Sequence, residues 1–291
     1  MSIFDFKNHN DEIIEINKRY AQNDDWTPAD FCANDFNEIL IENIKNFQRQ
    51  YGLHEDGIVG ATTFRRFKTE IESKQIISSK YIICNGKQIP INWHKVVLYT
   101  DKNGFIAPVS SYKKQTSRNP NMFVAHYDVC LSSKSCFDVL KQRNLSVQFL
   151  LDNDGTIYQT MDTIHIAQHA KGVNDVSIGV EISNAFYEKY NKTYIVMGLP
   201  PRPIISDSFV HGQKIEAHLG FYDVQVHALR ELIKAICSAY PSIKLQTPLK
   251  KEVQQDVVSK KYSGIVGHYH ISREKIDPAG LDLVQIVEDC K

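Results

Sequence analysis

The sequence predicts an α/β protein, a β-sheet flanked by helices, preceded by a small all-α domain. Three observations carry this. From about residue 91 onward, short apolar strand-like runs interleave with helix-period segments, the pattern of a sheet covered by helices. Residues 1–72 show helical spacing only, interrupted by a glycine-rich loop. Between them, residues 73–90 are charged and polar and read as a linker. The expected division is a helical domain over 1–72, a linker over 73–90 and a second domain over 91–291.

Within the first domain, Ile13, Ile16 and Tyr20 share one face of a polar helix that ends before Trp26-Thr27-Pro28. Phe36, Ile39, Leu40, Ile44, Phe47 and Tyr51 then recur at helical spacing, and Gly52 is a natural stop. Gly52, Gly57 and Gly60 make a tight loop, and Thr62 or Thr63 can start another helix through Phe64, Phe67 and Ile71.

In the second domain, residues 95–99 and 122–126 read as strands and 135–143 as a helix. Residues 147–151 and 156–160 flank Asp152-Asn153-Asp154-Gly155, a strand, a turn and a strand. Residues 177–182 are a further strand, with Ile178, Val180 and Ile182 on one face and Ser177, Gly179 and Glu181 on the other. Residues 185–220 have few periodic signals and read as an insertion, a rim or lid. Val226, Leu229, Leu232, Ile233, Ile236, Cys237 and Tyr240 form one helical stripe that Pro241 ends. The apolar run 264–267 precedes His268, and 282–289 reads as a final helix.

Composition bounds the function. With 42% apolar and 23% charged residues, a chain of 291 can bury a normal core. Formal net charge is zero, so nothing in the bulk charge points to nucleic acid or an anionic membrane as partner. No apolar run approaches the ~20 residues that span a bilayer. The amino terminus has neither a basic start nor an apolar core, so synthesis in the cytoplasm without a standard signal is expected. Cys32, Cys84, Cys237 and Cys290 are scattered, while Cys130 and Cys136 are close enough to bridge. The lack of any CxxC argues against a cysteine zinc cluster.

The chemistry gathers around residues 264–278. His268 closes an apolar run, and Asp277 follows in the same loop with Lys275 just before it. An imidazole and a carboxylate are half of a metal site. Zinc hydrolases keep three protein ligands and leave a fourth position for water. His126, which closes the strand Phe123-Val124-Ala125, is the best third ligand, since strand-terminal histidines on adjacent strands can face one another.

Two stretches resemble known families. Asn46-Phe47-Gln48-Arg49-Gln50-Tyr51-Gly52-Leu53, then Asp56-Gly57-Ile58-Val59-Gly60 and Thr63, resembles the helical peptidoglycan-binding module of cell-wall hydrolases. Five later pieces occur in order: the strand ending at His126; Ser146-Val147-Gln148-Phe149-Leu150-Leu151 with Asp154-Gly155-Thr156-Ile157-Tyr158-Gln159; Ala167-Gln168-His169-Ala170-Lys171-Gly172 with Asn174; Ser177-Ile178-Gly179-Val180-Glu181; and Gly267-His268 with Lys275-Ile276-Asp277-Pro278. Together they resemble the type-2 N-acetylmuramoyl-L-alanine amidases and the peptidoglycan-recognition proteins that share their fold.

That resemblance implies a central, mainly mixed β-sheet and zinc (Zn2+) held by His126, His268 and Asp277. It implies Glu181 as the acid/base beside the metal water and Lys275 near the oxyanion. His169 and Asn174 are assigned to the substrate groove, although Gln168 stands where the family has tryptophan, and Asn174 serves equally as a turn cap. His165 and His270 match nothing and read as structural. The Cys130–Cys136 spacing resembles a small disulfide loop of the recognition proteins. The implied activity is hydrolysis of the amide between N-acetylmuramic acid and L-alanine, with peptidoglycan as partner, in the periplasm or outside the cell. Two alternatives stay open: a non-catalytic binding protein of the same fold, and a zinc peptidase cutting the stem peptide. Both a phage endolysin and an injected antibacterial effector fit, the latter requiring an immunity protein in its producer.

Overall fold

The computed structural model describes residues 9–24, 26–31, 33–75 and 81–291, with the backbone alone over 70–75. The start of the expected first helix, Cys32 and residues 76–80 of the expected linker lie outside these residues. The chain divides into two compact units, Met1–Lys74 with Asn191–Pro201, and Gln75–Tyr190 with Arg202–Lys291.

The first unit contains α1 (His9–Asp24), α2 (Glu38–Gln50) and α3 (Ala61–Gln75). Trp26, Phe31, Leu40, Ile44, Val59 and Phe67 form its core. Asn37 starts α2 by accepting the Leu40 amide at 3.1 Å. The glycine loop is held by two buried amides. Gln48 donates to Asp56 Oδ1 (2.7 Å), Ile58 O (3.0 Å) and Thr63 Oγ1 (3.1 Å) and accepts from Gly57 N (2.9 Å). Asn17 donates to Gly57 O and accepts from Val59 N, both at 2.9 Å. Gly57 has φ +72°, and a Cβ there would lie 2.7 Å from the Ile41 side chain, so any other residue is strained at this position. The residues Gln48, Asp56, Gly57 and Thr63 of the module motif therefore build the loop itself.

The second unit is built on a six-stranded sheet. Its strands are β1 (Val96–Leu98), β2 (Met122–Tyr127), β3 (Phe149–Leu151), β4 (Ile157–Gln159), β5 (Ser177–Ile182) and β6 (Gly264–Gly267), in spatial order β6-β2-β5-β3-β4-β1. Only β3 and β4 pair antiparallel, so the sheet is mixed. Every residue of β2 is buried, as expected for a parallel strand covered on both faces. Helix α4 (Ser133–Gln142) begins at Ser132, which accepts the Ser135 amide. Helix α5 (Asp223–Ala239) lays Leu229, Leu232, Ile233 and Ile236 on the core, joined by Leu283 and Ile286 of α6 (Leu283–Glu288).

Two segments differ from the sequence reading. Residues 81–90 of the expected linker form an antiparallel ribbon, Tyr81–Cys84 with Lys87–Pro90, and Ile82 and Cys84 enter the main core. Its turn is Asn85-Gly86, both with positive φ (51° and 72°), the strongest short hairpin signal. Asp162 fixes it by accepting Asn85 N at 2.9 Å and Gly86 N at 2.7 Å. The insertion is also partly core. Asn191–Pro201 belongs to the helical unit, while Ser208–Val210 pairs with Gln213–Ile215 and buries Val210 in the main core.

Candidate metal centre and catalytic cleft

Register places the site. Gly267 of β6 pairs with Ala125 of β2, so the next residues, His268 and His126, leave adjacent strand ends together. His126 pairs in turn with Glu181 of β5. The chain then folds back: Tyr269 N donates to Asp277 O at 3.1 Å. Gly267 permits this return, because a Cβ there would lie 2.6 Å from the Tyr269 ring and 2.9 Å from Pro278.

The result is a triangle of ligand atoms. His126 Nδ1 and His268 Nδ1 are 3.1 Å apart, and both face Asp277 Oδ2, at 2.9 and 3.0 Å. Burial, then the neighbouring His268, pushes His126 down to about 4, so its imidazole is neutral. Burial raises the Asp277 carboxyl, but the facing imidazoles of His126 and His268 outweigh it and hold the group well below the usual carboxylate range. A neutral imidazole and an ionised carboxylate are the forms that bind metal. With both rings protonated on Nε2, the two Nδ1 lone pairs and the carboxylate oxygen converge on one point, where a cation can take all three. The triangle's edges approach the ~3.3 Å expected for tetrahedral zinc ligands at about 2.0 Å. The donor set fits zinc.

Around this triangle lies a cleft of about 620 Å³ lined by His126, His268, Asp277, Glu181 and Lys275, together with His169, Asn174, Cys130 and Cys136. Of the insertion, His211 reaches the backbone of Lys275 on the cleft wall. Glu181 Oε2 is buried and has no hydrogen-bond partner among the described residues. Burial, then repulsion from Asp277, raises the Glu181 carboxyl well above its ordinary value. Lys275 is exposed, with its backbone fixed by Lys275 N donating to Ser272 O at 3.2 Å and by a contact from His211 Nε2 to Lys275 O at 2.9 Å.

His169 and Asn174 border the cleft but face inward. His169 Nδ1 lies 3.0 Å from His126 Nε2. Asn174 Oδ1 accepts the backbone amides of His169 and Ala170, at 3.1 and 2.7 Å, and so caps the turn. His270 is structural, accepting Gly267 N at 3.1 Å and meeting Lys250 O at 3.0 Å. Cys130 and Cys136 lie side by side on the cleft wall as thiols rather than a disulfide. Sequence reasoning missed Arg118, whose guanidinium donates to the carbonyls of Thr163 (3.1 Å), His165 (2.9 Å), Asn174 (2.7 Å) and, most tightly, Ser177. Nothing local in the sequence marks it, since all its partners are backbone oxygens far along the chain.

Comparison with known proteins gives the family. A family model of N-acetylmuramoyl-L-alanine amidases matches residues 116–280, and a peptidoglycan-binding-domain model matches residues 18–67. No curated protein matches the chain. Among solved structures it is similar to a selenomethionine derivative of AmpD, at 17% identity and TM-score 0.39, covering 66% of this chain and 96% of that one. It is similar to AmpDh3 from Pseudomonas aeruginosa in complex with anhydromuramic pentapeptide, at 19% and 0.40, covering 63% and 65%. It is likewise similar to the N-acetylmuramoyl-L-alanine amidase LysC from Clostridium intestinale, at 17% and 0.38, covering 67% and 94%. With the amidase model spanning more than half of the chain and enclosing His126, Glu181, His268 and Asp277, the chain belongs to the N-acetylmuramoyl-L-alanine amidase family, as an enzyme of peptidoglycan amide hydrolysis with a peptidoglycan-binding module.

Proposed function

We propose that the chain cuts the amide between N-acetylmuramic acid and L-alanine, with zinc as its metal and His126, His268 and Asp277 as the ligands. The observation that carries this reading is the convergence of one ligand atom from each of these residues within 4.8 Å. Zinc bound there would supply Lewis acidity, polarising the lactyl carbonyl and lowering the pKa of water to about 7. Glu181, through its unpaired Oε2, takes a proton from the attacking water and returns it to the leaving L-alanine amine. Lys275, on the cleft wall, stabilises the developing oxyanion more than the ground-state amide. Alongside, the helical module holds the enzyme on the wall and raises local substrate concentration. Action on the wall fits delivery by a lysing phage or injection into a rival; in the second case an immunity protein from the producer would copurify with the chain.

The test is digestion of purified peptidoglycan by the zinc-loaded protein, with products read by mass spectrometry. Free stem peptides beginning with L-alanine are expected. Intact muramyl-peptide linkages, or cuts confined to the stem, overturn the bond assignment.

A further inference from the structure

The segment from His169 to Gly179 borders the cleft at His169 and Asn174 and is organised around the back of His126. His126 turns Nδ1 toward Asp277 and His268, which leaves Nε2 behind. That nitrogen lies 3.0 Å from His169 Nδ1, with the two rings 86° apart, and His169 Nε2 lies 3.3 Å from Ser177 Oγ. The proton count along this line follows from the chemistry. A His126 Nδ1 that offers its lone pair to a cation carries its proton on Nε2. His169 Nδ1 must then accept, so the His169 proton sits on Nε2 and is donated to Ser177 Oγ.

Three features hold the second ring in place. A Cβ at position 179 would lie 2.5 Å from His169 Nδ1, so glycine on the central strand makes the room. Asn174 ties down the His169 and Ala170 amides. Arg118 grips the carbonyls of Asn174 and Ser177 from the other side.

We infer that His169 is a positioning residue for the metal centre: it accepts the Nε2 proton of His126 and so fixes the tautomer that presents Nδ1, with Ser177 and Gly179 supporting it. The inference rests on His126 being a zinc ligand, and it gives His169, which also lines the cleft, a role exerted through that ligand. Partners of this kind orient metal-bound histidines, and losing one typically weakens metal binding 10–100-fold.

The test compares His169→Ala with His169→Asn, whose amide oxygen falls near the lost Nδ1 and restores the acceptor. Zinc affinity is measured by competition with a chromophoric chelator, and histidine tautomers by nitrogen-15 NMR on the full chain with and without zinc. Expected are a ~10–100-fold loss for His169→Ala, recovery of most of it in His169→Asn, and a His126 protonated on Nε2 in the wild type. Unchanged affinity in His169→Ala, or a wild-type His126 protonated on Nδ1, overturns the inference. Where His169→Ala does not fold, the zinc-free wild-type spectrum decides alone, because zinc on Nδ1 would by itself leave the proton on Nε2. Failure of the underlying reading shows separately, as a wild-type protein that binds no zinc or a His268→Ala variant that binds it normally.

Discussion

At the scale of single residues, Glu181 does what a surface carboxylate cannot. Its Oε2 is buried without a partner among the described residues, and burial beside Asp277 raises its carboxyl well above the ordinary range. A base so raised holds a proton more readily near neutral pH, which suits a group that must take one and give it back. Glu181→Gln keeps the shape and removes the exchange. We expect kcat to fall ~10²–10⁴-fold, with zinc stoichiometry unchanged by metal analysis; a variant within a few-fold of wild type would remove Glu181 from the mechanism. The residues proposed to hold the metal could be singled out in sequence because each ends an apolar run or follows one in a short loop. The role of His169 was not. It depends on a ring fitted above Gly179 and against His126, a contact that no local pattern encodes.

Elements set the site through register. Strands β6, β2 and β5 run parallel, so His268, His126 and Glu181 emerge at one sheet edge. A slip of one residue would turn His126 to the opposite face. Strands buried on both sides read as apolar runs rather than alternations, which is why existence and order were legible but neighbours were not. The ribbon at 81–90 was written in Tyr81-Ile82-Ile83-Cys84 followed by Asn85-Gly86, and obscured by the polar Ser78-Ser79-Lys80 before it. The β3–β4 turn offers a test at this scale. Asp152 Oδ1 accepts Asn153 N at 2.9 Å and Ser133 N, at the start of α4, at 3.1 Å. Burial, then Asp154, nonetheless pushes its carboxyl up to about 6 from 3.8. A folded-state value above the unfolded one means that ionisation opposes folding. Stability from this group is full below about 4 and is lost as pH rises through about 6. Asp152→Asn keeps an oxygen acceptor without the charge. The zinc-free variant should therefore exceed wild type by on the order of 1–3 kcal/mol at pH 7, with the gap closing near pH 3.5. Urea titrations at both values measure it, and equal midpoints at pH 7 would contradict the account.

For the whole molecule, the amidase match over residues 116–280 encloses a segment that belongs elsewhere. Asn191–Pro201 is part of the helical unit. Tyr194 and Leu199 are buried there, and a Cβ on Gly198 would lie 2.8 Å from Arg66 N of α3. The chain thus passes between its units three times rather than once. No sequence pattern announced this, because a short helix inside an insertion carries too few apolar positions to show which core it serves. Simple removal of residues 1–80 would strip the segment of its partners and leave Tyr194 and Leu199 in water. Replacing 191–201 by a short glycine-serine link in the same truncation removes that liability. Both truncated chains should hydrolyse a soluble muramyl peptide, since His126, His268, Asp277, Glu181 and Lys275 all lie in the other unit. Both should lose retention on intact sacculi, by ~10²–10⁴-fold if the helical module supplies a second attachment, as measured by pelleting. Only the chain keeping 191–201 should aggregate on gel filtration. Equal solubility of the two would show that the segment's burial in the helical unit contributes little to keeping the chain soluble.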